Sequence, residues 1–207
     1  GNDEYHTLID PALRNKPVSA VQLHAVALCA RAWQQKKCFV IGDATGVGKT
    51  REAVACIANT ALQSEKTPKV LYLSVNGLYA DLQRDLLAIK MRQMAPELAS
   101  AVELGALKAH ERIPKRGVLF CSYNTLVSRG VKPLLDHVRG DAPVIIVLDE
   151  VHRIGIKTKT NELVAKLLKK LRDAHLLAMS ATWASHVAGV ELLSERLGLI
   201  GKSTPFV

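Results

Sequence analysis

The sequence predicts an α/β domain built on a doubly wound parallel sheet, and three observations predict it. Five short, nearly continuous apolar runs alternate with segments of helical periodicity. Prolines fall at the joints, and a glycine-rich turn links the first run to the first strong helix. In chain order the strands are residues 38–42 (CFVIG), 69–75 (KVLYLSV), 117–123 (GVLFCSY), 144–150 (VIIVLDE) and 175–182 (HLLAMSAT). Helices are predicted over 50–63, over 78–89 with Leu78, Leu82, Leu86 and Ile89 on one stripe, and over 161–172 with Leu163, Leu167 and Leu171 at steps of four. Pro68, Pro96, Pro114, Pro133 and Pro143 are read as lying between elements. Residues 1–17 read as an N-terminal arm laid across a single domain of residues 18–207.

Composition narrows the function. A chain of 207 residues with 48% hydrophobic content can bury a proper core. Its formal net charge of +9 suits a polyanionic partner, nucleic acid or an acidic membrane surface. Cys29, Cys38, Cys56 and Cys121 lack C-x-x-C spacing and sit in apolar surroundings, as reduced core residues of an intracellular protein do. The apolar stretch 21–30 is interrupted by Gln22 and His24 and is too short to span a bilayer. No basic-then-apolar leader precedes it, so neither secretion nor membrane insertion is expected.

The chemistry begins at "DATGVGKT", Asp43 to Thr50. The phosphate-loop pattern G-x-x-x-x-G-K-[ST] is met except that Asp43 stands at the first glycine. Gly46 and Gly48 let the backbone of Thr45, Gly46, Val47 and Gly48 curl its N–H groups inward around phosphate at a helix N-terminus. Lys49 would reach the β and γ phosphates, Thr50 would take a Mg²⁺ position, and Arg51 follows in the first turn. "VIIVLDEVH" ends a buried strand on two carboxylates. Asp149 is assigned to Mg²⁺, and Glu150 to orienting or deprotonating the water that attacks the γ-phosphate. His152 completes D-E-x-H, and Ser180 and Thr182 of "MSAT" suit a hydrogen-bonded relay from the carboxylates to a distant surface.

Phosphate loop, D-E-x-H and S-A-T in that order, each at a strand end, resemble the first RecA-like domain of superfamily-two helicases and translocases. Within that superfamily the chain resembles the Strawberry notch group. The resemblance is carried by "VSAVQLHAV", "IGDATGVGKTR", "LSVNGLYADLQRDL", "GVLFCSYNTL", "VLDEVHR", "SATWAS" and the closing "RLGLIG...TPF". Three positions depart from the group: Ala44 and Thr50 replace glycines, and Val151 replaces a cysteine. Thr50 restores the usual metal-binding hydroxyl. The resemblance implies ATP as the nucleotide, with Gln22 recognising adenine and Tyr5 stacking on it; an ordinary helix-surface glutamine and a tail tyrosine are the alternatives. It implies a nucleic-acid backbone, DNA or RNA, gripped by Ser74, Asn76 and Gly77 and by Ser122, Tyr123 and Thr125, with strand-end capping as the competing reading. Lys157, Lys159, Lys166, Lys169 and Lys170 read as a solvated helix face in preference to a basic track.

The family also implies partners. No second alternating α/β set follows Ser180, so hydrolysis is expected to need an arginine supplied by a second RecA-like domain, with weak turnover by this chain alone. Transcription or chromatin proteins are further candidate partners, and nuclear localisation is expected if the source is eukaryotic. A nucleotide-gated scaffold that binds protein partners without turnover is the alternative function. The intact Lys49, Thr50, Asp149 and Glu150 favour the motor, because a scaffold has no chemical need for Glu150.

Overall fold

The computed structural model describes residues 7–42, 48–108, 110–155, 157–180 and 193–194. Among them six strands form one all-parallel sheet, β1 (Phe39–Ile41), β2 (Lys69–Ser74), β3 (Ala101–Glu103), β4 (Val118–Ser122), β5 (Val144–Leu148) and β6 (His175–Met179), in the spatial order β1-β6-β5-β2-β4-β3. The predicted doubly wound class is the observed one. β3 was missed in the sequence because three residues are too few to show a period. β5 stops two residues before the predicted end, so Asp149 and Glu150 follow the strand instead of ending it.

Alternation along each strand sorts the core. Val70, Tyr72, Val118, Phe120, Ile145 and Val147 face one side with helices α2 (Ala20–Gln34), α3 (Lys49–Gln63), α4 (Tyr79–Ala88) and the short α5 (Met91–Met94). Leu71, Leu73, Leu119, Cys121, Ile146 and Leu148 face the other with α6 (Tyr123–Arg129), α7 (Lys132–His137) and α8 (Lys159–Lys170). Both faces are covered, which is why the strands read as unbroken apolar runs; each fully buried Leu or Phe contributes about 1.5–3 kcal/mol.

The helices follow local chemistry. Ser19 caps α2 through a reciprocal capping box with Gln22, and Thr158 caps α8 by accepting from the Asn161 N–H. Pro133, expected between elements, sits in the first turn of α7, where its missing N–H breaks no intrahelical bond. On α8 the core face is Val164, Leu167 and Leu168, a rotation away from the predicted leucine stripe, while Lys166, Lys169 and Lys170 are exposed. On α4, Leu82 and Leu86 are buried, and Ile89 is buried just past the helix end.

A small helix, α1 (Pro11–Arg14), precedes α2 and buries Leu13 completely. Asn59 of α3 holds this segment at both ends of its side-chain amide: Nδ2 donates to the Leu8 carbonyl (2.9 Å) and Oδ1 accepts from the Asp10 N–H (2.8 Å). All four cysteines are buried and none forms a disulfide. Among the described residues no helix is long and apolar enough to cross a membrane.

Candidate nucleotide site at the C-terminal edge of the sheet

β1, β2, β5 and β6 deliver their C-terminal ends to one edge, where ligands sit in open α/β sheets. The Asp149 N–H donates to the Leu73 carbonyl (2.8 Å) and the Ser180 N–H to the Ile41 carbonyl (3.1 Å), so the strand ends are stitched beyond the ladders themselves.

Asp149 is the best-held side chain of the site. It is only 3% exposed. Its Oδ2 accepts from Ser74 Oγ (3.0 Å) and Tyr72 Oη (3.3 Å), and its Oδ1 accepts from the Glu150 N–H (2.9 Å). Its carbonyl accepts a 2.6 Å bond from Tyr123 Oη. Burial pushes the carboxyl pKa up to about 6, aided by the charge of Glu150 and opposed by the hydroxyl of Ser74. Burial likewise raises Tyr72 and Tyr123 well above the usual phenol range, so both remain hydroxyl donors. The Thr50 hydroxyl lies beside that of Tyr72 and partly offsets the rise in its pKa. The result is a chain of side chains, Thr50, Tyr72, Asp149 and Ser74, that ties the first turn of α3 to the end of β5.

Glu150 occupies a left-handed backbone conformation, φ 51° and ψ 47°, which costs a non-glycine residue about 1–2 kcal/mol. Two bonds hold the turn: Asp149 Oδ1 on the Glu150 N–H, and the Arg153 N–H on the Glu150 carbonyl (2.8 Å). The turn aims the Glu150 carboxylate back across the edge. Its Oε2 lies 3.1 Å from His152 Nδ1, and that nitrogen lies 3.0 Å from Ser180 Oγ. Glu150, His152 and Ser180, predicted to communicate, are thus linked through one imidazole nitrogen. Thr182 lies outside the described residues, as do Tyr5, Thr45, Gly46 and Val47.

At the start of α3, Gly48 has φ 88° and no side-chain cap on the helix. A Cβ built on it would stand 2.9 Å from Gln22 Nε2. Gln22 Oε1 is held by the Ser19 N–H (3.0 Å), so the capping box orients the amide and turns Nε2 toward the phosphate-loop glycine. Lys49 and Thr50, both half-buried, open the helix. The Arg51 guanidinium engages Asp85 of α4 through Nε (3.1 Å) and Nη2 (2.8 Å). Asp85, Tyr72 and the Asp149 contact of Tyr123 were absent from the sequence reading. The signal available was a polar atom in each of two apolar strands and an acid on an otherwise apolar helix face.

The expected nucleic-acid residues divide. Ser74 has no exposed surface, and its hydroxyl serves Asp149. Ser122 is buried as the N-cap of α6, bonded to the Thr125 N–H (3.1 Å) and to Thr125 Oγ1 (2.9 Å). Tyr123 points inward. Asn76 and Gly77 are exposed, and Thr125 is half-exposed.

The site fits a nucleotide with a hard cation. Among the described residues no three His, Cys, Asp or Glu side chains converge. One hydroxyl and one carboxylate, completed by phosphate oxygens and water, is the donor set Mg²⁺ uses, and a glycine whose Cβ position is already filled by Gln22 suits a backbone cradle.

Comparison with known proteins agrees with this geometry. A sequence model of the family described as P-loop containing NTP hydrolase pore-1 matches residues 2–207. Protein strawberry notch homolog 2 of Mus musculus is 31% identical over 222 residues, covering 99% of this chain and 16% of that protein. Protein strawberry notch homolog 1 of Rattus norvegicus is 32% identical, covering 98% of this chain and 18% of that protein. The chain therefore spans less than a fifth of these relatives' length. Among solved structures, the Sulfolobus solfataricus SWI2/SNF2 ATPase core in complex with dsDNA superposes with a TM-score of 0.69 at 17% identity, over 94% of this chain and 39% of that one. The DUF1998 helicase MrfA bound to DNA gives 0.68 at 21% identity, over 92% and 27%.

Proposed function

The chain belongs to the P-loop containing NTP hydrolase pore-1 family, with strawberry notch proteins as relatives, and on that premise we propose that it is the ATP- and Mg²⁺-binding first motor domain of a superfamily-two DExH translocase acting on nucleic acid. Its helicase-like P-loop NTPase fold supports ATP hydrolase chemistry. The observation that carries the reading is the edge where Tyr72 and Ser74 hydrogen-bond Asp149 with Thr50 beside Tyr72, and where Glu150, His152 and Ser180 form a second linked group.

In this reading Thr50 and Asp149 hold Mg²⁺ and Lys49 holds the β and γ phosphates, with the backbone of residues 45–48 as the cradle. Bound Mg²⁺ supplies charge neutralisation on the phosphate oxygens. Burial raises the Asp149 pKa to about 6, so near neutral pH the side chain is mostly the carboxylate that would hold the cation, and a bound cation would favour that charged form further. Glu150 orients the attacking water and accepts its proton, and His152 fixes which Glu150 oxygen is available. Ser180, bonded to the same imidazole nitrogen as Glu150, senses the state of that carboxylate. Gln22, aimed at Gly48 by its capping box, recognises adenine. Arg51, assigned to the nucleotide site as the residue after Thr50, has its guanidinium on Asp85 and braces α3 against α4.

Turnover requires an arginine from a second RecA-like domain, worth about 10³ to 10⁵ in rate. The nucleic-acid partner is supported by the DNA-bound states of the structural neighbours, and exposed Asn76, Gly77 and Thr125 are the contacts we assign to its backbone. The protein works inside the cell, in the nucleus if its source is eukaryotic, alongside transcription or chromatin proteins.

Titration of the chain with a fluorescent ATP analogue tests the reading. Binding that needs Mg²⁺, is lost in Lys49→Ala and survives in Glu150→Gln is expected; equal binding by Lys49→Ala overturns it. ATPase assays with duplex DNA, single-stranded DNA and RNA, on a protein carrying both motor domains, then define the substrate. A Glu150→Gln variant there that stops turnover yet leaves cellular function intact would favour the nucleotide-gated scaffold.

A further inference from the structure

The edge of the sheet opposite the nucleotide site carries a second built surface. The loop entering the N-terminal end of β4, together with α7 and the turn after it, surrounds an open groove of about 810 Å³ lined by Arg112, Ile113, Lys115, Asp136 and Arg139. An adjoining groove of about 290 Å³ shares Ile113 and Asp136 and adds Glu111, Arg129, Lys132 and Pro133. Both acids are already engaged: Asp136 pairs with Arg139 (3.0 Å), and Glu111 accepts from the Lys108 N–H (2.9 Å). Arg112, Lys115 and Lys132 are exposed, and among the described residues none has a carboxylate within ion-pair distance.

The loop that presents these cations is pinned at both ends. Arg129 donates to the Leu107 carbonyl, His137 Nδ1 bonds the Pro114 carbonyl (2.5 Å), and Lys69 Nζ donates to the Lys115 carbonyl. At its end Gly117 has φ 83°, and a Cβ there would stand 2.8 Å from the Ser100 carbonyl oxygen. Three side chains from α6, α7 and β2 therefore hold the carbonyls of Leu107, Pro114 and Lys115 and leave the Arg112 and Lys115 side chains outside. A rigid frame holding uncompensated cations loses little conformational freedom when an anion arrives.

We propose that this groove binds the phosphodiester backbone of duplex nucleic acid, as a contact separate from the nucleotide edge. Repeated, spatially separated cations match a repeated anion. Among the described residues no aromatic side chain lines either groove, so the grooves offer no platform on which the bases of a single strand would stack. Among the described residues Ile113 and Pro133 are their only apolar linings, which is too little anchoring for an acidic peptide. β4 runs from this edge to the other, so its five residues place the groove about 15 Å from the Asp149 edge. A duplex seated here approaches the domain from the side opposite the ATP site. The proposal shares with the functional reading only the class of partner and does not depend on nucleotide binding.

The experiment is fluorescence anisotropy of a mixed-sequence DNA duplex with the chain, without nucleotide, across a series of salt concentrations. Arg112→Glu combined with Lys115→Glu is expected to weaken binding at least about tenfold and to make the log–log salt slope shallower by about 2. Lys159→Glu combined with Lys166→Glu, an equal charge change on exposed α8, is expected to cost several-fold less. Equal losses in the two double variants, no loss in the first, tighter binding of a single strand, or displacement of the duplex by poly-glutamate at matched charge would each overturn the proposal. Nucleotide titration of the Arg112/Lys115 variant should match the parent. A parent that binds duplex but no ATP would defeat the functional reading and leave this one standing.

Discussion

Removal of the Arg51 guanidinium should destabilise the domain more than removal of the whole Arg51–Asp85 pair. Asp85 has a side chain only 6% exposed, and both of its short bonds come from Arg51 (3.1 and 2.8 Å to Oδ1); Arg84 Nη2 is 4.0 Å from Oδ2. Truncating one partner of a buried pair costs about 3–5 kcal/mol because the other charge stays in the interior unpaired. Arg51 is 31% exposed, and Arg84 is near enough to move in, so the lower figure of about 2 kcal/mol applies to Arg51→Ala. With a urea m-value of about 2 kcal/mol per molar for a chain of this size, the unfolding midpoint should fall by about 1 M. Arg51→Met combined with Asp85→Leu replaces the pair by apolar groups of similar shape and should return to within about 1 kcal/mol of the parent. Circular dichroism during urea titration reads all three proteins. A double variant as unstable as Arg51→Ala, or an Arg51→Ala midpoint within error of the parent, would refute the argument that the buried carboxylate is the source of the cost.

Three further expectations come from the same geometry. Gly48→Ala places a methyl 2.9 Å from Gln22 Nε2 at φ 88° and should cost about 1–2 kcal/mol in thermal unfolding while weakening nucleotide binding; an unchanged Tm would refute both the backbone strain and the clash. Tyr72→Phe removes the hydroxyl between Thr50 and Asp149, so it should cost about 1 kcal/mol and raise the Mg²⁺ concentration needed for nucleotide loading about tenfold; a stability loss with unaltered Mg²⁺ dependence would make Tyr72 purely structural. Burial holds the His137 pKa below its usual value of 6.5, and its Nε2 is buried with no hydrogen-bond partner. The unfolded chain therefore takes up the proton first, so His137's contribution is fully present above about pH 6.5 and is lost as pH falls below it. Asp149, raised to about 6, acts in the opposite sense between about pH 4 and 6. Comparing His137→Gln with the parent cancels that term, and the parent should lose Tm more steeply on acidification; parallel curves would contradict the assignment.

The two-sided sheet was legible because apolar runs such as 144–148 and 175–179 are buried on both faces and contain no polar alternation to confuse them. Site letters were legible for the opposite reason: Asp149, Glu150 and His152 are polar residues placed where a strand has just ended, and Lys49 opens a helix behind a glycine-rich turn, which burial alone does not explain. The supporting side chains were hidden. Tyr72 sits inside an apolar run and reads as ordinary core until its hydroxyl is seen between Thr50 and Asp149. Asp85 lies in α4 beside Arg84 and resembles a surface acid, because sequence periodicity cannot say that α3 passes over it with Arg51. Ser74 and Ser122 failed to reach the surface for a related reason. A hydroxyl at the end of a buried strand meets the neighbouring strand's carboxylate or its own following helix before it meets solvent.

The shared nitrogen of His152 limits how much the site can say at once. An N–H at Nδ1 is one hydrogen between two oxygens, Glu150 Oε2 at 3.1 Å and Ser180 Oγ at 3.0 Å. Aimed at the carboxylate, it leaves the serine hydroxyl to orient by its other neighbours; aimed at the serine, it leaves Glu150 a stronger base. The imidazole is thus a two-way junction with a single token, and whatever occupies Glu150 decides which way Ser180 is turned.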